Sequence, residues 1–144
     1  MKTFKKLPAK DKKELLKFPA YISMLAANRD DKLDDAEKDA AIKLSHTATF
    51  ACDPILKEFY REVDKVFEKN IALIDRELPK DKSSREEAIK KELSKLERIV
   101  WKLGKEYTDT MHQSMKLFKE HISKAHHNVL IDFIFPLSIP YLNE

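Results

Sequence analysis

Five carboxylates crowd one short stretch of the chain: Asp30, Asp31, Asp34, Asp35 and Glu37, with Lys32 the sole cation among them. Carboxylates are hard oxygen ligands of the kind that hold Ca²⁺, Mg²⁺ or Mn²⁺. Their spacing does not make an EF-hand loop, because there is no Asp-x-Asp-x-Asp-Gly and no Glu twelve positions after a first Asp. The same residues also suit a simpler role. Asp34 is a good helix N-cap, and Glu37 stands three residues on, at capping-box spacing. Asp35 and Glu37 complement the positive end of a helix, and Asp30 and Asp31 suit a turn. On the residues alone capping is the simpler reading, and a cation site stays open beside it.

Histidine is the second chemical resource. His112, His121, His126 and His127 share one helical segment with Met111 and Met115. At about 100° per residue, His121 and His126 flank opposite edges of the apolar stripe, and His112 and His127 point to the other side. No Glu-x-x-His occurs, so the di-iron bundle signature is absent. The methionines lie on the stripe as core filler. A structural or solvated role is expected for these histidines, unless His46 meets His121 or His126 across helices. Trp101 falls opposite Leu96, Val100 and Leu103, so it is expected either on a partner surface or under another part of the chain. Cys52 is the one cysteine and carries no nucleophile motif. With one glycine in the chain, no glycine-rich phosphate loop is possible in its usual form.

The elements that position these residues read as helices. Leu15, Phe18, Ile22 and Leu25 recur at helical spacing, and Pro19 should split or kink that run into helices near 9–17 and 19–28. A helix from Asp34 places Ala36, Ala40, Leu44 and Ala48 on one face, small enough for a neighbour to come close. Asp53-Pro54 starts a long helix to about Leu78. Its apolar face, Ile55 to Ile74, is wide enough for two neighbours. Ser84 with Glu87 predicts another capping box. An unbroken helix over 84–135 would be roughly 80 Å long at about 1.5 Å per residue, so a break is expected between Gly104 and Thr110. Thr110 with Gln113 would then cap the last helix. Pro136 and Pro140 forbid a helix through the apolar segment Phe135 to Leu142. That segment should lie extended across a groove or enter an intermolecular contact.

Composition agrees. The chain has 144 residues, 42% hydrophobic and 37% charged, with a net charge of +3. Such charge density fits long solvated helix faces. Basic and acidic residues are interleaved, so nucleic acid is not indicated. No apolar run is long enough to span a bilayer, and the lysine-rich start does not suit a signal segment. A reducing, cytoplasmic setting is the expectation.

Between two helical segments, Ala26-Ala27, Asp30, Leu33-Asp34-Asp35 and Glu37 together resemble the tellurite-resistance TerB-like family, over about residues 21–44. That family is all-helical and cytoplasmic, is linked to metal and chemical-stress responses, and has acidic residues near this corner implicated in divalent-metal binding. The resemblance implies that Asp30 stands for the family Asp, Leu33 for its apolar position and Glu37 for its Glu. Asp31 stands where the family usually carries Gly, and Asp tolerates left-handed backbone better than most residues.

The sequence therefore predicts an all-α single domain over 1–144, an irregular antiparallel bundle of about five helices. Residues 1–7 should fray and 136–144 should form an extended apolar tail. The functional expectation is a non-enzymatic cytoplasmic protein that binds a divalent cation (Ca, Mg or Mn) or a partner through Asp30, Asp31, Asp34, Asp35 and Glu37. The alternative is a protein-interaction or self-association module, a homo-oligomer for instance, that uses Trp101 and the tail.

Overall fold

Pro8 precedes α1 (Ala9–Leu15), and only Leu16 and Lys17 separate that helix from α2 (Phe18–Ala26). The α2 run contains no charged side chain, so it has no face suited to water. In the computed structural model, which describes residues 3–27 and 35–125, all of α2 is buried. A helix apolar all round belongs inside a bundle. Accordingly α2 packs on α3 (Asp35–Ala51), α4 (Lys57–Glu77), α5 (Lys82–Trp101) and α6 (Lys105–Ala125). Its one hydroxyl is satisfied locally, Ser23 Oγ donating to Pro19 O at 2.7 Å. Phe18, Ile22, Met24 and Leu25 each contribute roughly 1.5–3 kcal/mol by leaving water.

The outer helices present amphipathic faces to this centre. Phe59, Tyr60, Val63, Phe67, Ile71 and Ile74 are the buried line of α4. Ile89, Leu93, Leu96 and Val100 do the same on α5, and Met111, Met115, Phe118 and Ile122 on α6. Phe67 meets Phe118 with ring centroids 5.9 Å apart. The all-α expectation holds: six α-helices and two 3-10 turns, with no strand, occur among the described residues.

The joints follow local chemistry. Asp53 accepts from Ile55 N and leads through a 3-10 turn, Pro54–Leu56, into α4. Asp81 accepts from Ser84 N at 2.9 Å, so α5 starts at Lys82 with Asp81 as its cap, not with Ser84. The chain breaks between α5 and α6 at Gly104, whose φ is 96°. Only glycine takes that angle without a steric penalty. Buried Thr108 ties the break, its hydroxyl donating to Gly104 O at 2.7 Å and contacting Val100 O at 3.1 Å. Replacing Gly104 with Ala is expected to cost about 1–2 kcal/mol, read as a drop of a few degrees in the thermal midpoint by circular dichroism.

Several expectations are corrected. Within the expected frayed start, Phe4–Lys6 form a 3-10 turn, and Phe4 and Leu7 are buried. The Phe4 ring stands edge-on to Phe59 at 5.7 Å, and such burial outweighs the neighbouring lysines. The split expected at Pro19 is present: α1 ends at Leu15, and Pro19 lies in the first turn of α2, where its missing N–H costs nothing. Thr110 does not cap a helix. It lies inside α6 and bonds Glu106 O at 2.8 Å. The connection 78–81 joins α4 to α5, and α2 packs on both helices. Asp30, Asp31, Asp34, His126, His127 and the tail 136–144 lie outside the described residues.

Candidate binding groove between α3 and α6

The register of α3 decides what is left exposed. Its buried line is Glu37, Ala41 and Ser45, spaced i, i+4, i+8. The expected face of Ala36, Ala40, Leu44 and Ala48 is one position out of step: Ala36 is exposed and the other three are half-buried. The helix therefore turns a small and polar line inward and leaves an apolar line at its edge. That line faces α6. Leu44, Ala48 and Ala51 form one wall of a groove of about 450 Å³, and Ser114, Leu117 and Phe118 form the other. Leu56 and Tyr60 complete the apolar lining. A volume of roughly 300–1,000 Å³ is the usual range for ligand sites.

Two observations set the chemistry of this groove. The buried Tyr60 hydroxyl already has a partner in half-buried Ser114, Tyr60 Oη and Ser114 Oγ lying 2.5 Å apart. Burial pushes the Tyr60 phenol well above its ordinary range, so it stays neutral. At the rim, Leu117 is 66% exposed. Leu117 and Trp101, at 48%, are the exposed large apolar side chains among the described residues. Polar residues border the opening: Thr47, Asp53, Thr110, Gln113, Glu120 and His121. Cys52 also lines it, and burial pushes its thiol up, which disfavours the nucleophilic thiolate. The arrangement suits capture of an apolar chain better than bond-making chemistry.

The other sequence-predicted residues fall elsewhere. Asp35 is exposed in the first turn of α3, whereas Glu37 is 2% exposed. His46 meets Asp64 of α4 at 3.1 Å and is not a groove residue, while His121 lines the groove. Among the described residues no three His, Cys, Asp or Glu side chains converge to hold a metal ion. Trp101 ends α5 and is not part of the groove.

His112 is the clearest revision. Helical angles put it off the apolar stripe, yet it is buried, and its Nε2 meets Glu97 of α5 at 2.6 and 2.8 Å. The α6 stripe is wide enough to take in the residue beside Met111. Leu117 also escaped the sequence reading. Its signal was present in the stretch Ser114 to Phe118, where two apolar residues in succession cannot both sit on one narrow face.

Compared with protein-family models, curated proteins and solved structures, the chain matches none of them.

Proposed function

We propose that the protein is a non-enzymatic helical binding module that takes an extended, uncharged, proline-bearing protein segment into the α3–α6 groove. The supporting observation is the apolar wall that two helices leave open, with Leu117 exposed at its edge. Burying such a surface favours association by roughly 25 cal/mol per Å² before ordering costs. A segment with prolines is pre-extended and presents fewer N–H groups that need acceptors, so it loses less on entering an apolar groove. Asp53 and Glu120 at the rim disfavour an acidic segment.

The test is a titration with a peptide of residues 135–142 as the probe. The titrated protein is the full chain carrying Leu137→Asp and Ile139→Asp, so that its own segment does not compete. Saturable binding with a dissociation constant of about micromolar order is expected, weakened at least about tenfold by adding Leu117→Asp. Absence of saturable binding, or equal binding with Leu117→Asp, removes the groove reading.

A second reading places a divalent cation at the corner formed by Asp30, Asp31, Asp34, Asp35 and Glu37. It is supported by the burial of Glu37, since an acidic helix cap alone works at the surface. It is also the role that the TerB-like resemblance implies, in a stress response. Millimolar Ca²⁺, Mg²⁺ or Mn²⁺ added to metal-stripped protein should raise the thermal midpoint by roughly 5–10 °C for a well-bound ion. The rise should vanish in Asp30→Asn/Glu37→Gln. If no ion moves the midpoint, these carboxylates are helix-start residues only.

A further inference from the structure

We infer that the cleft where α1, α2, α4 and α5 meet binds a small aliphatic amine, whose ammonium group bonds the Tyr21 hydroxyl among Glu14, Glu77 and Glu92. The site shares no lining residue with the α3–α6 groove, and it stands independently of the groove reading.

The charges come first. The cleft encloses about 410 Å³, within the usual range for ligand sites. Glu14, Glu77 and Glu92 line it against Lys17 and Lys91, which leaves one negative charge over. Lys17 answers Glu14, with Nζ 3.7 Å from Oε1. Glu92 meets Lys95 at 3.1 Å, and that lysine does not line the cleft. An exposed pair of this kind is screened by water and holds its carboxylate weakly. Glu77 has no ion pair among the described residues, and it stands in the last turn of α4. The carbonyl end of a helix is negative, so a carboxylate there deepens the negative potential and a cation beside it is favoured.

The hydroxyl is a separate observation. Tyr21 of α2 is 8% exposed and lines the same cleft. Burial raises its phenol above the ordinary range, and the charges of Glu92, Glu14 and Glu77 raise it further. No hydrogen bond contributes, whereas Ser114 bonds the hydroxyl of Tyr60. The Tyr21 hydroxyl therefore stays neutral, lies within reach of all three carboxylates and has no partner among the described residues. A polar group so nearly buried without a partner is costly, and a ligand that supplies the bond recovers that cost.

The class of ligand follows from these groups. An ammonium ion carries three N–H donors and no acceptor, which suits a phenol oxygen and carboxylates together. A metal ion fits less well, because no three carboxylates among the described residues converge on one point. Ile74, Leu78 and Ala88 add an apolar lining for a short alkyl chain. Arg85 fixes the turn beside it by donating to Pro79 O at 3.3 Å, so the lining is formed before a ligand arrives.

The probe is n-butylammonium, titrated into the full chain at constant ionic strength while the methyl resonances of Ile74 and Ala88 are followed by NMR. A saturable shift with a dissociation constant of about millimolar order is expected. Tyr21→Phe should weaken binding at least about tenfold and leave the thermal midpoint unchanged, because the lost hydroxyl has no protein partner. Tetramethylammonium, a cation with no N–H, should bind at least about tenfold more weakly, and n-butanol should not saturate. Leu117→Asp should leave the n-butylammonium affinity unchanged. Absence of a saturable shift, or equal affinity in Tyr21→Phe, overturns the site. Tetramethylammonium or n-butanol binding as well as n-butylammonium overturns the ammonium–hydroxyl contact. Tighter binding of Nα-acetyl-lysine methylamide overturns the free amine in favour of a partner's lysine side chain. A loss of binding in Leu117→Asp puts the probe in the α3–α6 groove and overturns the cleft.

Discussion

Replacing Glu97 with Ala is expected to cost about 3–5 kcal/mol of folding stability, and replacing His112 with Ala a similar amount. The two side chains are 2% and 4% exposed, and the carboxylate spans Nε2 of the imidazole at 2.6 and 2.8 Å. Removing either leaves the other in a site with little water, which is far costlier than breaking a surface pair. Replacing both together, Glu97→Met with His112→Leu, should return part of the loss, because neither member of this buried pair is then left without the other. Urea unfolding of the two single variants and the double variant gives this directly. Single losses under about 1 kcal/mol would mean that the α5–α6 contact opens to water in solution. The outcome bears on function as well as stability. A pair used only to join two helices should be replaceable by apolar residues without changing peptide binding in the groove.

The second large effect concerns Arg85, whose guanidinium is buried although it carries charge. Its side chain is 2% exposed, and it bonds the carboxylate of Asp75, with the carbonyls of Asp75 and Pro79 also in reach at 3.5 and 3.3 Å. Asp75 is 40% exposed. The two partners therefore differ in what their loss leaves behind. Asp75→Ala strands a buried cation on carbonyl acceptors alone and should cost about 2 kcal/mol, reduced from the fully buried case by the solvent around Asp75. Arg85→Met leaves a carboxylate that water can reach and an apolar stem in the same space, and should cost about 1 kcal/mol. The order is the test. If Arg85→Met proves the more damaging in urea unfolding, the guanidinium acts chiefly as a clamp on the 79–81 turn and not as a buried charge held by Asp75.

Much of the fold was legible because local rules and tertiary packing agree at those points. Asp53-Pro54 starts a helical segment, Gly104 lies at a break, and the wide stripe of α4 is buried along its length. The misreadings occur where packing overrides a local rule. The α3 register was misread because Glu37, a charged residue, takes a place in the buried line, and no periodicity count assigns a carboxylate there. His112 was misread for the same reason, since its burial depends on Glu97 arriving from a different helix. Phe4 and Leu7 were hidden by the lysines around them, whose stems and charges stay at the surface. The groove itself needs the relative placement of α3 and α6, which no single segment encodes.

The most direct measurement is an isotope-filtered NOE experiment on the labelled Leu137→Asp/Ile139→Asp protein with unlabelled peptide of residues 135–142. The expected result is contacts from the peptide's Leu137 and Ile139 methyls to the methyls of both Ala48 and Leu117, one on each wall. Contacts confined to the ring of Trp101, or none to either wall, would contradict the groove as the binding surface.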